Sequence, residues 1–164
     1  MNRLLILLLP LILISCGFYS FTGASISPET ETVSINYFEN KANIVQASLS
    51  SVLTEELKNY FTNQTNLIIT QDEGDLTFSG EITSYDIQPI SIQSNQTAKQ
   101  NRLTIKVRVQ FINKKDERMN FNNTFSRHKD FSSEENISSL EESLISDICK
   151  ELSEDIFNKA LVNW

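Results

Sequence analysis

Cysteine and histidine are nearly absent from this chain. Its 164 residues include two cysteines, Cys16 and Cys149, and one histidine, His128. So few ligands give no Cys/His cluster with metal-site spacing, and no internal disulfide framework once Cys16 is engaged elsewhere. Cys149 lies on the apolar side of a predicted helix and is interpreted as a small core residue. The cations Arg127 and Lys129 flank His128, which we interpret as an exposed residue at a strand end.

Glycine is also scarce, and this excludes a phosphate-binding loop. The four glycines are scattered along the chain rather than grouped. The adjacent acidic pairs Glu55-Glu56 and Glu134-Glu135 are typical of solvated faces and helix starts, not of an acid/base dyad. The sequence offers no nucleophile–base set. We therefore expect no catalytic residue, no metal, no cofactor and no enzymatic activity.

Long hydrophobic runs are limited to the N-terminus. The apolar run 4–14, interrupted by Pro10, is shorter than the roughly 20 residues that a membrane-spanning helix needs. It follows the basic residue Arg3 and precedes the small residue Ser15. This order predicts a secretory signal peptide over residues 1–15 that is removed from the mature protein.

The residues at the cut site indicate a lipid anchor. Leu13-Ile14-Ser15-Cys16 resembles the bacterial lipoprotein signal, in which the cysteine thiol receives diacylglycerol and the new amine receives an acyl chain. Several acyl chains give stable membrane attachment, whereas one is marginal. Residues 16–31 are then a lipidated tether. The alternative is an ordinary signal peptide whose cut site happens to precede a cysteine. Gly17 is not acidic, so nothing favours retention at the inner membrane.

Charge is distributed unevenly along the mature chain, which runs from residue 16 to 164. It carries 13 basic and 21 acidic residues, a net charge of −8. Residues 99–129 hold nine basic and two acidic residues, and the rest holds four and nineteen. This split suggests a face that meets anionic groups. A lipoprotein outside the cytoplasm does not meet nucleic acid, so phosphorylated glycolipids and acidic loops of partners are the expected anions.

The first half of the domain predicts a strand, a helix and a second strand. Residues 32–38 alternate between apolar and polar, which indicates a half-buried strand. Asn43 is the expected N-cap of a helix that carries one apolar stripe and ends near Asn63. After a short β-like run at 67–69, alternation over 76–87 predicts a long strand. Pro89 is expected to end its pairing.

The second half predicts a hairpin and a long helix. A polar loop is expected over 91–100, then a strand over 102–112 and a turn at 113–116. The fourth strand has its apolar positions at Met119, Phe121 and Phe125, and the two strands are expected to pair antiparallel. Ser138 and Glu141 are the expected capping box of the last helix, whose apolar residues recur every four positions from Leu140 to Ala160.

The predicted order is β-α-β-β-β-α. The first helix is a crossover between two strands, so those strands should be parallel and the hairpin strands antiparallel. Both helices and one sheet face carry apolar residues that must be buried together. We therefore predict a single α+β domain over 32–164, with two helices packed on one face of a four-stranded mixed sheet and the other face open.

The clearest candidate site is a row of basic residues on the open side of the third predicted strand. Arg102, Lys106 and Arg108 share one side, about 7 Å apart per two residues. Lys99 and the turn lysines extend the row. Cation rows bind phosphates and carboxylates. The alternatives are a solvated strand face, or an edge strand that its charges protect against aggregation.

The motifs taken together resemble the LptE-type lipopolysaccharide-assembly lipoproteins over nearly all of the mature chain. Each motif is weak alone, and their order after the lipoprotein signal makes the set specific. In order they are Cys16-Gly17-Phe18-Tyr19-Ser20-Phe21-Thr22-Gly23, Val33-Ser34-Ile35, Phe38-Glu39-Asn40, Leu53-Thr54-Glu55-Glu56-Leu57, Gly74-Asp75-Leu76, Gly80-Glu81-Ile82, Asn101-Arg102-Leu103-Thr104-Ile105, Asp155-Ile156-Phe157-Asn158 and Trp164.

The resemblance implies the same two-helix, four-stranded fold and a role without catalysis. It implies a lipid-anchored protein on the periplasmic side of the cell outer membrane. Members of the family sit in the lumen of the large LptD β-barrel, help it fold, and assist lipopolysaccharide insertion into the outer leaflet. Basic residues of relatives have been linked to lipopolysaccharide, but no motif fixes the matching positions, so Arg102, Lys106 and Arg108 are candidates from charge pattern alone. The alternative function is a periplasmic carrier of a lipid or small ligand, which needs a cavity between helices and sheet.

Overall fold

A computed structural model of the protein describes residues 26–90 and 99–162. The predicted signal peptide, Cys16 and most of the predicted tether lie outside these ranges. Most of the loop predicted at 91–100 lies outside them too. The described residues form one mixed sheet with two α-helices on one face.

The sheet has six strands, so the prediction of four is wrong. Its order is β3-β1-β4-β5-β6, and β2 also pairs with β4. Strand β1 pairs in parallel with β3 on one side and with β4 on the other, and β4, β5 and β6 form an antiparallel meander. The α+β class and the parallel crossover are as predicted. The strands are β1 Thr32–Ile35, β2 Glu39–Asn40, β3 Ile68–Thr70, β4 Leu76–Ile90, β5 Gln100–Asn113 and β6 Phe121–Ser132.

The two extra strands have separate causes. The strand predicted over 32–38 is interrupted at Phe38, whose backbone N–H is 3.2 Å from Thr54 Oγ1 in the first helix. In an uninterrupted strand the Phe38 N–H would donate to β4. Because it donates to the helix hydroxyl instead, pairing with β4 stops at this point and resumes one residue later as β2. The short run at 67–69 becomes β3 because it pairs with β1, with Thr32 opposite Ile68.

The first helix, α1, spans Leu49–Gln64 and begins later than the predicted cap at Asn43. The Asn40 side chain accepts from the Ala42 N–H at 3.0 Å and donates to the Gln46 carbonyl at 3.3 Å. These bonds hold residues 40–46 as a loop. The helix therefore starts only after Ser48.

The second helix, α2, spans Ile137–Leu161. Its cap is Asn136, whose side chain accepts from the Ser138 N–H at 3.1 Å, so the predicted capping box is wrong. Glu141 is not available for that box because its carboxylate takes the Tyr85 hydroxyl at 2.5 Å. A contact with the sheet thus replaces the local contact that the sequence favours.

Strand β4 continues past Pro89 to Ile90, contrary to prediction. The carbonyls of Phe78 and Ile82 point away from β5, toward the segments that contain β1 and β2, and accept hydrogen bonds from them. Beyond the irregularity between Ile82 and Ser84, alternation turns the backbone of residue 89 toward that same side. No described strand pairs there, and a proline is tolerated where its missing N–H has no partner to bond.

The core lies between the helices and one sheet face. An aromatic series crosses it, with ring centroids 5.1 Å apart for Phe157 and Phe61, 4.8 Å for Phe61 and Phe78, and 4.7 Å for Phe78 and Phe111. It joins both helices to β4 and β5. Such pairs add roughly 0.5–1.5 kcal/mol each beyond burial. The predicted inner face of β5 is confirmed, since Leu103, Ile105, Val107, Val109 and Phe111 are all fully buried.

Candidate functional site

The three candidate cations lie on the open face of the sheet, as their period-two spacing predicts. Their strand, β5, is bounded by β4 on one side and β6 on the other. It is an interior strand, so the interpretation of the row as protection of an edge strand is wrong. Each cation instead stands between two cross-strand neighbours, and those neighbours decide how much charge it presents.

Arg102 is held by a carboxylate on β6. Its Nε lies 2.7 Å from Asp130 Oδ1 and its Nη2 lies 2.9 Å from Asp130 Oδ2. This two-point contact lowers the pKa of Asp130 and raises the pKa of Arg102. The guanidinium therefore faces a bound counter-charge and is not freely available to a ligand.

Arg108 is paired as well, and Lys106 is not. Arg108 Nη1 lies 2.7 Å from Glu81 Oε1 on β4. Lys106 is exposed and stands between Ser84 on β4 and Ser126 on β6. Among the described residues it forms no ion pair. It is thus the member of the row whose charge is least compensated.

The open face as a whole is close to electrically balanced. Besides Glu81 and Asp130 it carries Asp86, which lies opposite Thr104, and Glu39, which lies opposite Glu81. Lys41 forms an ion pair with Glu39, so carboxylates and cations remain equal in number. Most of the remaining outward positions are neutral hydroxyls and amides, including Ser79, Ser84, Thr104, Gln110, Asn122, Thr124 and Ser126. A strongly positive surface is therefore not what this face offers.

Five of the other six basic residues of 99–129 also pair with carboxylates of the domain, and the sixth, Lys99, forms no ion pair among the described residues. Turn residues Lys114, Lys115 and Arg118 pair with Glu73, Asp75 and Asp116 at 3.2, 3.4 and 2.8 Å. On the helix side of β6, Arg127 and Lys129 pair with Asp155 and Glu151 of α2. Most of the basic residues of segment 99–129 are thus neutralised by ion pairs within the domain, largely with carboxylates from the acidic rest of the chain.

Cys149 occupies the position expected of it, and His128 does so only in part. His128 is exposed as predicted, but it lies within β6, opposite Thr104, and not at a strand end. Cys149 is fully buried in α2, and burial raises the pKa of its thiol to about 12. Such a thiol is unreactive. Within residues 26–90 and 99–162, no three His, Cys, Asp or Glu side chains are grouped as a metal site requires.

Two cavities lie at one end of the domain, beside the end of the sheet and the last residues of the helices. One of about 500 Å³ is lined by residues 26–30, by Leu161 and by the turn after β5. One of about 700 Å³ lies between residues 26–31 and the end of α1. Both adjoin the first described residues. The space under the helices is filled by buried side chains, which counts against a ligand carrier.

A half-buried hydrogen-bond network at Asp75 was not predicted from the sequence. Asp75 Oδ2 accepts from the Glu31 N–H at 3.0 Å, the Thr32 N–H at 3.1 Å and the Thr32 hydroxyl at 2.9 Å. These bonds hold the pKa of the Asp75 carboxyl down at about 2. The network fixes the entry of the chain into the domain. The sequence signal was the Gly74-Asp75 turn, but its partner lies more than 40 residues away.

No described helix is both long and apolar enough to cross a bilayer.

Comparison with known proteins finds one matching family. The family model "LptE: Lipopolysaccharide-assembly" matches residues 30–160. No curated protein matches the chain.

Several solved structures share the fold at low identity. A minor lipoprotein from Acinetobacter baumannii is 15% identical with a TM-score of 0.53, over 79% of this chain and 91% of that one. A protein from Xanthomonas campestris is 8% identical with a TM-score of 0.54, over 82% and 87%. A hypothetical protein from Chlamydia trachomatis is 8% identical with a TM-score of 0.50, over 82% and 99%. These likenesses show a common fold only.

Proposed function

The chain belongs to the LptE lipopolysaccharide-assembly family, and from this premise we propose that it is a non-enzymatic lipoprotein that helps assemble and plug an LptD-type β-barrel. It thereby assists insertion of lipopolysaccharide into the outer leaflet. The observation that carries this proposal is the family match, which covers all six strands, α1, and α2 except for its last residue.

The same proposal places the protein at the periplasmic side of the outer membrane. Its support is the lipoprotein signal that ends at Cys16. Lipid on this residue, as an N-acyl chain and an S-diacylglycerol, would hold the domain at the bilayer without a membrane-spanning helix.

Contact with lipopolysaccharide is assigned to the open sheet face. Arg102, Lys106 and Arg108 point there together, and Lys106 is the cation without a carboxylate partner among the described residues. Phosphate groups of the glycolipid therefore meet Lys106 first. Arg102 and Arg108 contribute only if a ligand phosphate displaces Asp130 or Glu81, which reduces the gain from each.

Affinity purification of the tagged mature protein from outer membranes in mild detergent tests this function. A large outer-membrane β-barrel is expected in near-equal amount, and it should be absent when the same tag is carried by an unrelated lipoprotein. A free monomer without any barrel would overturn the proposal.

A further inference from the structure

Strand β6 leaves a long edge of the sheet open. It pairs with β5 over residues 121–132, and no described segment pairs with its other side. Phe78 and Ile82 direct their carbonyls away from β5, so their partners Phe111 and Val107 direct theirs toward β6. By alternation, the even-numbered residues of β6 turn their backbone N–H and C=O groups outward. These residues are Asn122, Thr124, Ser126, His128, Asp130 and Ser132.

This edge lacks most of the devices that usually block strand addition. It contains neither proline nor glycine and is 12 residues long. Its protective features are charged side chains, of which Arg127 and Lys129 point to the helix side and Asp130, paired with Arg102, points to the open face. Arg127 Nε lies 2.5 Å from Asp155, and Lys129 Nζ lies 2.6 Å from Glu151.

Acidic residues outnumber basic ones around these two ion pairs. Asp147 lies four residues before Glu151 and Glu154 lies three residues after it, so all three share one side of α2. Asp147 and Glu154 are exposed on α2. Four carboxylates therefore stand against three cations, Arg127, Lys129 and Lys159, where a strand added to β6 would place its inward side chains. An apolar strand would desolvate these charges at a cost, and an acidic strand would be repelled.

We propose that the free edge of β6 binds an extended, basic segment of a partner polypeptide as an additional strand. Backbone hydrogen bonds to the outward groups of β6 supply affinity, and alternate Lys or Arg side chains of the partner meet the excess carboxylates of α2. A second copy of this chain fits less well, because two identical acidic surfaces would meet. The inference rests on the edge and its charges, and uses neither the family assignment nor the sheet face.

Backbone amide exchange of the mature protein in detergent tests the proposal, with a nine-residue peptide of alternating Thr and Lys as the probe. At low salt the peptide is expected to slow exchange of the outward amides, such as Thr124, Ser126 and His128. Raising the salt concentration should reverse this protection. The same peptide with Glu in place of Lys is expected to have no effect.

Two variants separate edge pairing from general charge attraction. Ser126→Pro removes an outward N–H at an edge position where proline is tolerated, and should abolish protection of neighbouring amides. Glu154→Lys should weaken peptide binding by about three- to tenfold at low salt. Asp72→Lys is the matched control, since it makes the same charge change beside β3 at the opposite edge. It should leave binding unchanged.

Several results would overturn the proposal. One is slow exchange of the outward amides when no peptide is present. If that protection does not depend on protein concentration, the edge is already covered within the chain, and if it rises with concentration, a second copy covers it. Another is equal binding of the Glu peptide. A third is an equal loss of peptide affinity in the Asp72→Lys and Glu154→Lys variants. If Ser126→Pro does not fold, the comparison of the two Lys variants still decides the question.

Discussion

Replacement of Asp75 by alanine is expected to destabilise the domain substantially. The Asp75 carboxylate accepts three hydrogen bonds from Glu31 and Thr32, and the Asp75 backbone N–H donates to Thr32 Oγ1 at 2.9 Å. Alanine leaves two backbone N–H groups and a hydroxyl without this acceptor. Glu31 is exposed, so water replaces part of the loss. We expect a decrease of about 2–3 kcal/mol in the free energy of unfolding.

Urea unfolding of the mature protein followed by circular dichroism measures this change. For a domain of this size the midpoint of thermal unfolding should fall by roughly 4–12 °C. Asp75→Asn keeps one acceptor oxygen and should lose about half as much free energy. Glu73→Ala is the matched control, because Glu73 is exposed and pairs with Lys114 at 3.2 Å. It should stay within about 0.5 kcal/mol of the unchanged protein.

The same comparison has a defined pH dependence. The pKa of Asp75 is about 2 in the folded protein, below the value near 4 expected when unfolded. A depressed folded pKa stabilises the protein above the unfolded pKa, and the stabilisation is lost as the pH falls toward 2. The difference between the unchanged protein and Asp75→Asn should therefore shrink between pH 5 and pH 2. An equal difference at both ends, or an Asp75→Ala variant as stable as Glu73→Ala, would refute this account of the network.

Three further changes test other parts of the structure. A Cβ on Gly80 would overlap the Arg108 carbonyl oxygen and lie 2.7 Å from Phe38 Cε1, so Gly80→Ala should cost about 1–3 kcal/mol in urea unfolding; an unchanged midpoint would contradict this packing. Tyr85→Phe removes the 2.5 Å bond to a half-buried carboxylate on α2 and should cost about 1 kcal/mol by the same assay, whereas a stability equal to that of the unchanged protein would mean that water replaces the bond fully. Lys106→Glu should weaken binding of phosphorylated glycolipid, more at low salt, while Lys150→Glu on α2 should not; equal binding by both would remove the sheet face from the proposed function.

The sequence predicted the long strands and the existence of both helices well. Strand β5 alternates without exception from Arg102 to Phe111, and burial follows that alternation residue by residue. Such patterns are reliable because one side of each element must be buried. Helix ends were predicted less well. Local sequence favoured caps at Asn43 and Ser138, but the loop bonds of Asn40 and the hydroxyl of Tyr85 compete for the groups involved.

The candidate site shows the same limit. Its three cations were placed on one face by spacing alone, and the structure confirms that placement. Their counter-charges were not predictable, because Asp130 lies 28 residues from Arg102 and Glu81 lies 27 from Arg108. A charge row that reads as free along the chain is thus largely compensated once the strands pair.

By itself, then, the sequence determined which residues form strands and helices, which faces are apolar, and the motif order that relates the chain to its family. These properties depend on neighbours within a few residues and on the need to bury one face. Only the tertiary structure decided that β5 is interior, that Lys106 stands apart from two paired arginines, and that β6 is an edge strand of the described sheet, beside an acidic helix. Those features depend on residues brought together across the fold, whose register and partners are set by packing and not by spacing along the chain.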